Sequence, residues 1–302
     1  MAIMTPHLQA RANVRRTWFL MGSFLTIVIA AGWALSYVYG DPTILYAAVA
    51  FSFIGNFFSY FNSDKVALKM SGAKPMDPKN ADHRVALRIV ENLAISQGMP
   101  TPRVYIIEDS AMNAFATGRN PKNAAMAFTT GIIKELEKKE LEGVAAHELS
   151  HIKNRDILVM TIVVVLVGFI SIIADMFMRG AFKTKGGDNK VAAIVLVIGI
   201  IFAILSPFIA KAIQLAISRK REYLADASGV EMTRYPEGLA SALEKISKQN
   251  KPVKRAGTAT AHLYISSPFL DRDKTTVDFL ERIFSTHPPI QQRINNLRGM
   301  NQ

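Results

Sequence analysis

The sequence predicts a mainly α-helical, multi-pass membrane protein with a water-facing domain that contains a small β-sheet. Half of the 302 residues are hydrophobic and the mean hydropathy is +0.17, so much of the chain is not expected to face water. Long uncharged runs occur in two pairs. The segments around them show mostly helical spacing of apolar residues, with two short strand-like stretches.

The four uncharged runs comprise residues 17–39, 42–62, 157–174 and 191–210. Each can cross a hydrocarbon core of about 30 Å at about 1.5 Å per helical residue, the third only just. Buried core helices are a poor alternative, because the runs have no polar face and the remaining domain is small. The first run is too long for a signal-peptide core and lacks a convincing cleavage site, so we expect a retained anchor. These runs predict four membrane helices in two hairpins.

The hairpins divide the chain into four parts. These are a tail with the first hairpin (1–62), the first half of a catalytic domain (63–156), the second hairpin (157–210) and the second half of that domain (211–302). Basic residues precede the first run and follow the second, so the positive-inside rule places the N-terminus and residues 62–156 in the cytoplasm. The loop at 175–190 is also basic and breaks this rule if both later helices cross fully. A shallow second hairpin and a genuine exception both remain open.

The remaining segments are assigned from periodicity and turn residues. Helical spacing predicts that a helix beginning near residue 134 continues without a breaker into the third membrane run, and that the fourth run continues to about residue 229. Residues 113–123 are rich in turn formers, and 251–267 is expected to be a flexible linker. Further helices are predicted at 82–97, 236–248, 275–284 and 289–297, and strands at 103–107 and 124–128.

The net charge of +12 fits basic flanks of membrane helices near an anionic leaflet, which makes the lipid bilayer the expected partner. No nucleic-acid-binding motif accompanies the charge, so no nucleic-acid partner is expected. The chain has no cysteine, which excludes disulfides, a cysteine nucleophile and thiolate metal ligands.

The sequence HELSH contains His147 and His151, which are four residues apart. On a helix their imidazoles project from one face about one turn apart, as chelation of one zinc ion requires. Glu148 lies beside the first histidine, where its carboxylate can act on a water molecule rather than bind the metal. The same pattern also arises by chance in charged helices, so it needs a third ligand.

A third ligand is available in the sequence RKREYLADASG, where Glu222 and Asp226 form another i, i+4 pair. Catalytic zinc commonly takes two histidines and one carboxylate, which predicts Glu222 as a ligand. Asp226 can then hydrogen-bond the distal nitrogen of a ligand histidine, with His147 as the expected partner. The alternative is a charge cluster beside the membrane, but a hairpin returns the chain to the side it left, which favours one shared site.

Together HELSH, EYLADASG, the segment NAFATG and THPP near the C-terminus, combined with two hairpins, resemble the HtpX family of bacterial membrane-bound zinc metalloproteases, relatives of the CAAX prenyl proteases. The resemblance covers essentially the whole chain. It implies a gluzincin fold with one zinc per chain, ligands at His147, His151 and Glu222, and Glu148 as general base. It also implies that NAF lies on an edge strand, where Asn113 and Ala114 bind substrate backbone.

Two further residues near the C-terminus are candidates. His287 could donate a hydrogen bond to a developing oxyanion, although a helix-initiating turn explains it equally well. Arg293 could pair with a carboxylate such as Asp226. The other histidines, His7, His83 and His262, have no partner at ligand spacing and are expected at the surface.

The expected activity is that of a zinc endopeptidase of the bacterial inner membrane, with its active site facing the cytoplasm. The resemblance implies quality control of misfolded or damaged membrane proteins under stress, and such an enzyme could also cut itself. One alternative is a protease for prenylated proteins, although that group generally has more membrane helices. The other is a holding protein with a structural metal, for which Glu148 has no use. The sequence indicates no oligomeric state.

Overall fold

The computed structural model describes residues 6–166, 219–249, 251–256, 260–268 and 288–300. It begins with a helical hairpin of α1 (Pro6–Tyr39) and α2 (Thr43–Met70). Gly40 has φ +64°, which reverses the chain at little steric cost. The carboxylate of Asp41 then accepts hydrogen bonds from the backbone N–H and the hydroxyl of Thr43, at 2.9 and 2.7 Å.

The outer faces of this hairpin carry large exposed side chains, among them Trp18, Phe53 and Phe57. In the part of the chain that the structure describes, one helix, α2, is both long and apolar enough to cross a membrane. Residues 167–174 of the third predicted span and all of the fourth lie outside the described residues. The four-span topology therefore stays a prediction.

A four-stranded mixed sheet follows, and its strands are β1 (Lys74–Pro75), β2 (Arg103–Ile107), β3 (Ala114–Gly118) and β4 (Ala124–Thr129). The order across the sheet is β1-β2-β4-β3, with β2 parallel to β4 and the outer pairs antiparallel. Every residue of β3 and β4 is buried. The predicted strands at 103–107 and 124–128 are confirmed, and β3 lies at one edge of the sheet.

The prediction of a turn-rich segment at 113–123 is wrong for its first half, which forms β3. Its alanines and Phe115 are apolar, and they are buried in the hydrophobic core on either side of the sheet. The strand ends at Gly118, where φ is +137° and a Cβ would lie 2.4 Å from the carbonyl oxygen of Asn123. Only glycine fits there without rearrangement.

Three helices in the first half of the chain share a hydrophobic core with the sheet, and each begins with a side-chain cap. The carboxamide of Asn80 accepts two backbone N–H groups at the start of α3 (Ala81–Ser96), and Thr129 caps α4 (Thr130–Glu135). Glu137 and Glu140 form a capping box for α5 (Lys138–Lys153). Helix α5 is buried over most of its length, so it forms the centre of the water-facing domain.

The predicted uninterrupted helix from residue 134 into the third membrane run is wrong. After α4 and α5, the chain breaks at Asn154 and Arg155 and resumes as α6 (Asp156–Leu166). Arg155 has φ +56°, a left-handed conformation that costs a non-glycine residue about 1–3 kcal/mol. The break therefore requires compensating contacts from its surroundings.

Helices α7 (Arg219–Thr233), α8 (Pro236–Lys248) and α9 (Ile290–Gly299) complete the described domain. Helices α7 and α8 pack on α5, and α9 packs on α8. The close approach of α5 and α8 depends on Gly143, where a Cβ would lie 2.6 Å from the backbone nitrogen of Leu239. The predicted helix at 275–284 lies outside the described residues.

The predicted flexible linker at 251–267 is packed where the structure describes it. Ala261–Leu263 is a 3-10 turn, and Tyr264 then forms an antiparallel β-bridge with Phe115 of β3. Residues 260–265 are all buried, because their apolar side chains contact the sheet. Small residues and positive charges made this segment look like a linker.

Candidate metal centre

Helix α5 and helix α7 bring His147, His151 and Glu222 together. One ligand atom from each lies within 4.8 Å of the other two, and all three residues are buried. The two Nε2 atoms are 3.2 Å apart. The carboxylate of Glu222 lies 3.8 Å from Nε2 of His147 and 3.5 Å from Nε2 of His151.

These separations suit a zinc ion. Tetrahedral zinc with ligands at about 2.0–2.1 Å needs ligand atoms about 3.4 Å apart, close to the distances observed. The donor types also fit, because two histidine nitrogens and one carboxylate are a common ligand set of catalytic zinc and leave a fourth position for water. Further charged side chains around these ligands are also buried, and they are Glu148, Asp156, Asp226, Arg221 and Arg293.

The distal nitrogen of His147 contacts Asp226, with Nδ1 and Oδ1 2.9 Å apart. Arg293 from α9 donates to both oxygens of the same carboxylate, at 2.9 and 2.7 Å. Burial alone would raise the pKa of Asp226, but Arg293 and His147 lower it to about 2. Both pairings expected from the sequence, Asp226 with His147 and Arg293 with Asp226, are therefore present.

The distal nitrogen of His151 has a partner that sequence reasoning missed. Its Nδ1 lies 3.0 Å from Oδ2 of Asp156, the first residue of α6. Burial opposes the charged imidazole, yet Asp156 and Glu222 outweigh it and raise the pKa of His151 to about 9. Both histidines thus have Nδ1 held by a carboxylate and Nε2 directed towards the shared site. Metal binding at Nε2 must release any proton there, so metal affinity falls in acid.

Glu148 lies beside the ligands and is 2% exposed. Burial raises its pKa to about 7, an effect that His151 and Arg293 partly oppose. The backbone N–H of Ala116 is close enough to this carboxylate to lower its pKa slightly. Because Ala116 belongs to β3, the outer edge of the sheet faces the carboxylate beside the metal ligands.

Asn113 immediately precedes this edge strand and Ala114 begins it, but one hydrogen-bonding group of each is occupied by residues 265 and 266 of the same chain. The N–H of Ile265 donates to the carbonyl of Ala114 at 2.9 Å, and the amide of Asn113 donates to the carbonyl of Ser266 at 3.2 Å. Asn113 is fully buried. In this conformation neither residue is open to a substrate.

Among the other histidines, His287 and the side chain of His7 lie outside the described residues. The surface prediction is wrong for His262, which is 4% exposed and whose Nε2 lies 3.0 Å from the carbonyl of Met160. His83 is half-buried, and its Nδ1 accepts the backbone N–H of Asp77 at 3.1 Å.

The model of peptidase family M48 matches residues 79–301, which include all the residues of the metal centre named above. The chain belongs to peptidase family M48. The predicted resemblance is thereby confirmed, and the chain is a membrane-associated metalloprotease whose buried His147, His151 and Glu222 can hold the zinc of this family.

Proteins described as protease HtpX homologs resemble it over nearly their whole length. The Dictyoglomus thermophilum protein is 42% identical over 293 residues, covering 96% of this chain and 93% of the relative. The Streptococcus gordonii protein is 40% identical over 304 residues, covering 97% and 99%. The Thermococcus sibiricus protein is 42% identical over 287 residues, covering 93% and 95%.

The crystal structure of Ste24p from S. mikatae is similar in fold, with a TM-score of 0.50 and 17% sequence identity. The match covers 90% of this chain and 62% of Ste24p, so the Ste24p chain is considerably longer. This likeness supports a mainly helical fold with a small mixed sheet.

Proposed function

We propose that this chain is a zinc endopeptidase that cleaves misfolded or damaged membrane proteins and can cut itself. One observation carries the proposal. The Nε2 atoms of His147 and His151 and the carboxylate of Glu222 converge beside Glu148. The carboxylate of Glu148 in turn lies close to Ala116 of the edge strand β3. A purely structural metal site would need neither the additional carboxylate nor the adjoining strand edge.

Each residue then has a defined role. His147, His151 and Glu222 hold the metal, and Asp226 with Arg293 fixes the orientation of His147. Zinc in this site would polarise the scissile carbonyl and make a water molecule more acidic. Glu148 takes the proton of the attacking water and delivers it to the leaving amine. Burial raises the pKa of this carboxyl group, which favours its return of the proton to the leaving amine.

An extended substrate is expected to add to the outer edge of β3, where Asn113 and Ala114 offer hydrogen bonds. This placement would bring the scissile bond opposite Ala116, whose N–H already contacts Glu148. His287 remains a candidate for stabilising the oxyanion.

We further propose four membrane helices in two hairpins, with the N-terminus and the site on the cytoplasmic face of the bacterial inner membrane. The apolar, aromatic surface of the α1–α2 hairpin supports membrane insertion, and the basic flanks support the orientation. The four sequence divisions, 1–62, 63–156, 157–210 and 211–302, follow this topology. Substrates would then be membrane proteins that expose unfolded chain near the cytoplasmic surface.

The decisive experiment compares Glu148→Gln with the wild-type protein and with Glu142→Gln. Glu142 is on the same helix, and its carboxylate contacts Lys139 at 3.0 Å near the surface. The Glu148 variant should bind one zinc per chain yet fail to cleave an unfolded membrane protein, whereas the Glu142 variant should resemble the wild type. Appreciable cleavage by the zinc-loaded Glu148 variant would refute the mechanism. Cleavage confined to prenylated chains would favour the alternative substrate class.

A further inference from the structure

The side chain of Asn13, on the N-terminal helix α1, reaches the residues around the metal centre. Its amide nitrogen donates to Oδ1 of Asp156 at 2.6 Å and to the carbonyl of Asn154 at 3.0 Å. The other oxygen of Asp156 contacts Nδ1 of His151 at 3.0 Å. Asn13, Asn154 and Asp156 are at most 1% exposed, so water does not compete for these bonds.

The orientation of the Asn13 amide is determined by its surroundings. Its oxygen accepts a hydrogen bond from Arg16 at 3.3 Å, which leaves the nitrogen for the two acceptors. One acceptor, the carbonyl of Asn154, belongs to the break between α5 and α6, where Arg155 has φ +56°. Asn13 therefore bonds to both sides of the break and holds α6 where its first carboxylate meets the metal ligand.

We propose that Asn13 and Asp156 are positioning residues for His151, so that docking of the N-terminal membrane helix determines how well the metal is held. Asp226 and Arg293 orient the first histidine from helices α7 and α9, and Asp156 and Asn13 orient the second from helices α6 and α1. Arg221 also faces Asp156, with 4.0 Å between Nη1 and Oδ1. This inference rests on the proposed metal site.

The test measures zinc affinity of the full-length protein by chelator competition, together with kcat and KM. Asp156→Asn should weaken zinc binding about 10–100-fold, as loss of a carboxylate partner to a metal-bound histidine generally does. Asn13→Ala should weaken it several-fold and alter the visible spectrum of the cobalt-substituted protein. In both variants kcat should fall more than KM changes, because substrate contacts are retained.

The matched control is Asn56→Ala. Asn56 is also a buried asparagine in the first hairpin, and its amide donates to the carbonyl of Met21 at 3.1 Å, away from the metal centre. The Asn56→Ala variant should have a less stable hairpin, because this hydrogen bond is lost, but it should retain wild-type zinc affinity. Equal zinc affinity in the Asn13 and Asn56 variants, or unchanged affinity in Asp156→Asn, would overturn the inference. Absence of zinc from the wild type would instead refute the proposed function.

A separate observation concerns the edge strand. The segment of residues 264–266 lies along the outer edge of β3, where Tyr264 bridges Phe115 and the N–H of Ile265 bonds to Ala114. Arg293, which also holds Asp226, donates to the carbonyl of Ile265 at 3.1 Å. The segment is thus bonded both to the strand edge and to the metal centre.

We infer that residues 264–266 act as a strap that keeps the enzyme latent, and that substrate must displace the strap to pair with β3. Two further N–H groups of this edge are also engaged, since that of Ala116 is close to the carboxylate of Glu148 and that of Gly118 lies 3.3 Å from the hydroxyl of Thr161. No residue of β3 is exposed. The strap depends on the proposed function, because it blocks that site.

The absence of cysteine from the chain permits a reversible test. Phe115→Cys combined with Tyr264→Cys places two thiols at directly opposed positions of an antiparallel bridge, where Cα atoms about 4.5–5.5 Å apart suit a disulfide. Oxidation should abolish cleavage and reduction by a phosphine should restore it, while neither single-cysteine variant should respond to the oxidant. Cleavage by the cross-linked form at the rate of its reduced form would overturn the inference. Activity of the reduced form tests the proposed function separately.

If the double variant does not fold, hydrogen exchange gives an independent measurement. In Glu148→Gln, saturation with an unfolded substrate should accelerate exchange of the Ile265 amide, because its bond to Ala114 is lost. Unchanged protection of this amide in the substrate complex would contradict displacement of the strap.

Discussion

Replacement of Arg293 by methionine should be among the most destabilising single changes in the C-terminal helix. The guanidinium donates two hydrogen bonds to Asp226, at 2.7 and 2.9 Å, and both residues are at most 2% exposed. Removal of one partner leaves an uncompensated buried charge, which costs about 3–5 kcal/mol. At about 2 °C per kcal/mol for a chain of this size, the unfolding midpoint should fall by about 6–10 °C.

The measurement is thermal unfolding in detergent after chelation of metal, so that zinc binding does not contribute. Arg298→Met is the control, because Arg298 is on the same helix but pairs at the surface with Glu237 and Glu244, at 2.9 and 2.8 Å. Its loss should cost at most about 1 kcal/mol. The double variant with Asp226→Asn should recover about 1–3 kcal/mol relative to the sum of the single changes. Strict additivity, or a midpoint for Arg293→Met equal to that of the control, would refute the reasoning.

Three further outcomes are expected. Burial raises the pKa of Glu148 above that of a free glutamate, and the base must be ionised, so kcat/KM should fall as the pH drops into the acid range; an unchanged kcat/KM down to about pH 4 would contradict this. Gly143→Ala should lower the free energy of unfolding by about 1–3 kcal/mol in denaturant titrations, because the new Cβ would lie 2.6 Å from the backbone nitrogen of Leu239. Gly22→Ala is the control, and it should leave that free energy unchanged or raise it, because its Cβ would have no atom within 4 Å. Glu222→Gln should weaken zinc binding by more than the about 10–100-fold expected when a hydrogen-bond partner of a ligand histidine is replaced. One zinc per chain remaining in this variant after dialysis would show that Glu222 is not a ligand.

Local patterns predicted much of the domain. The spacing of His147 and His151, and of Glu222 and Asp226, depends only on helix geometry, so the two halves of the metal centre could be proposed before any fold was known. The strands at 103–107 and 124–128 and the helix at 236–248 also follow from short-range periodicity. Helix α3 begins within one residue of its predicted start because Asn80 caps it.

The contacts that were missed depend on the chain departing from that regularity. In an uninterrupted helix Asp156 would point about 140° away from His151, because five residues turn through about 500°. The left-handed Arg155 returns the carboxylate to the histidine, and no glycine or proline marks the break. The bond from Asn13 joins residues 143 positions apart. Likewise, Ile265 bonds to Ala114 of β3 through backbone groups, which leave no trace in the side-chain pattern.

The residues that form the metal centre are synthesised in a fixed order. Helix α5 supplies two of its ligands, α7 supplies the third, and the guanidinium that holds Asp226 and Ile265 comes from α9, more than 140 residues after His147. Chains emerge from the ribosome N-terminal end first. A nascent chain therefore carries all three ligands before it carries Arg293, and its site is completed only when the last described helix has joined the others.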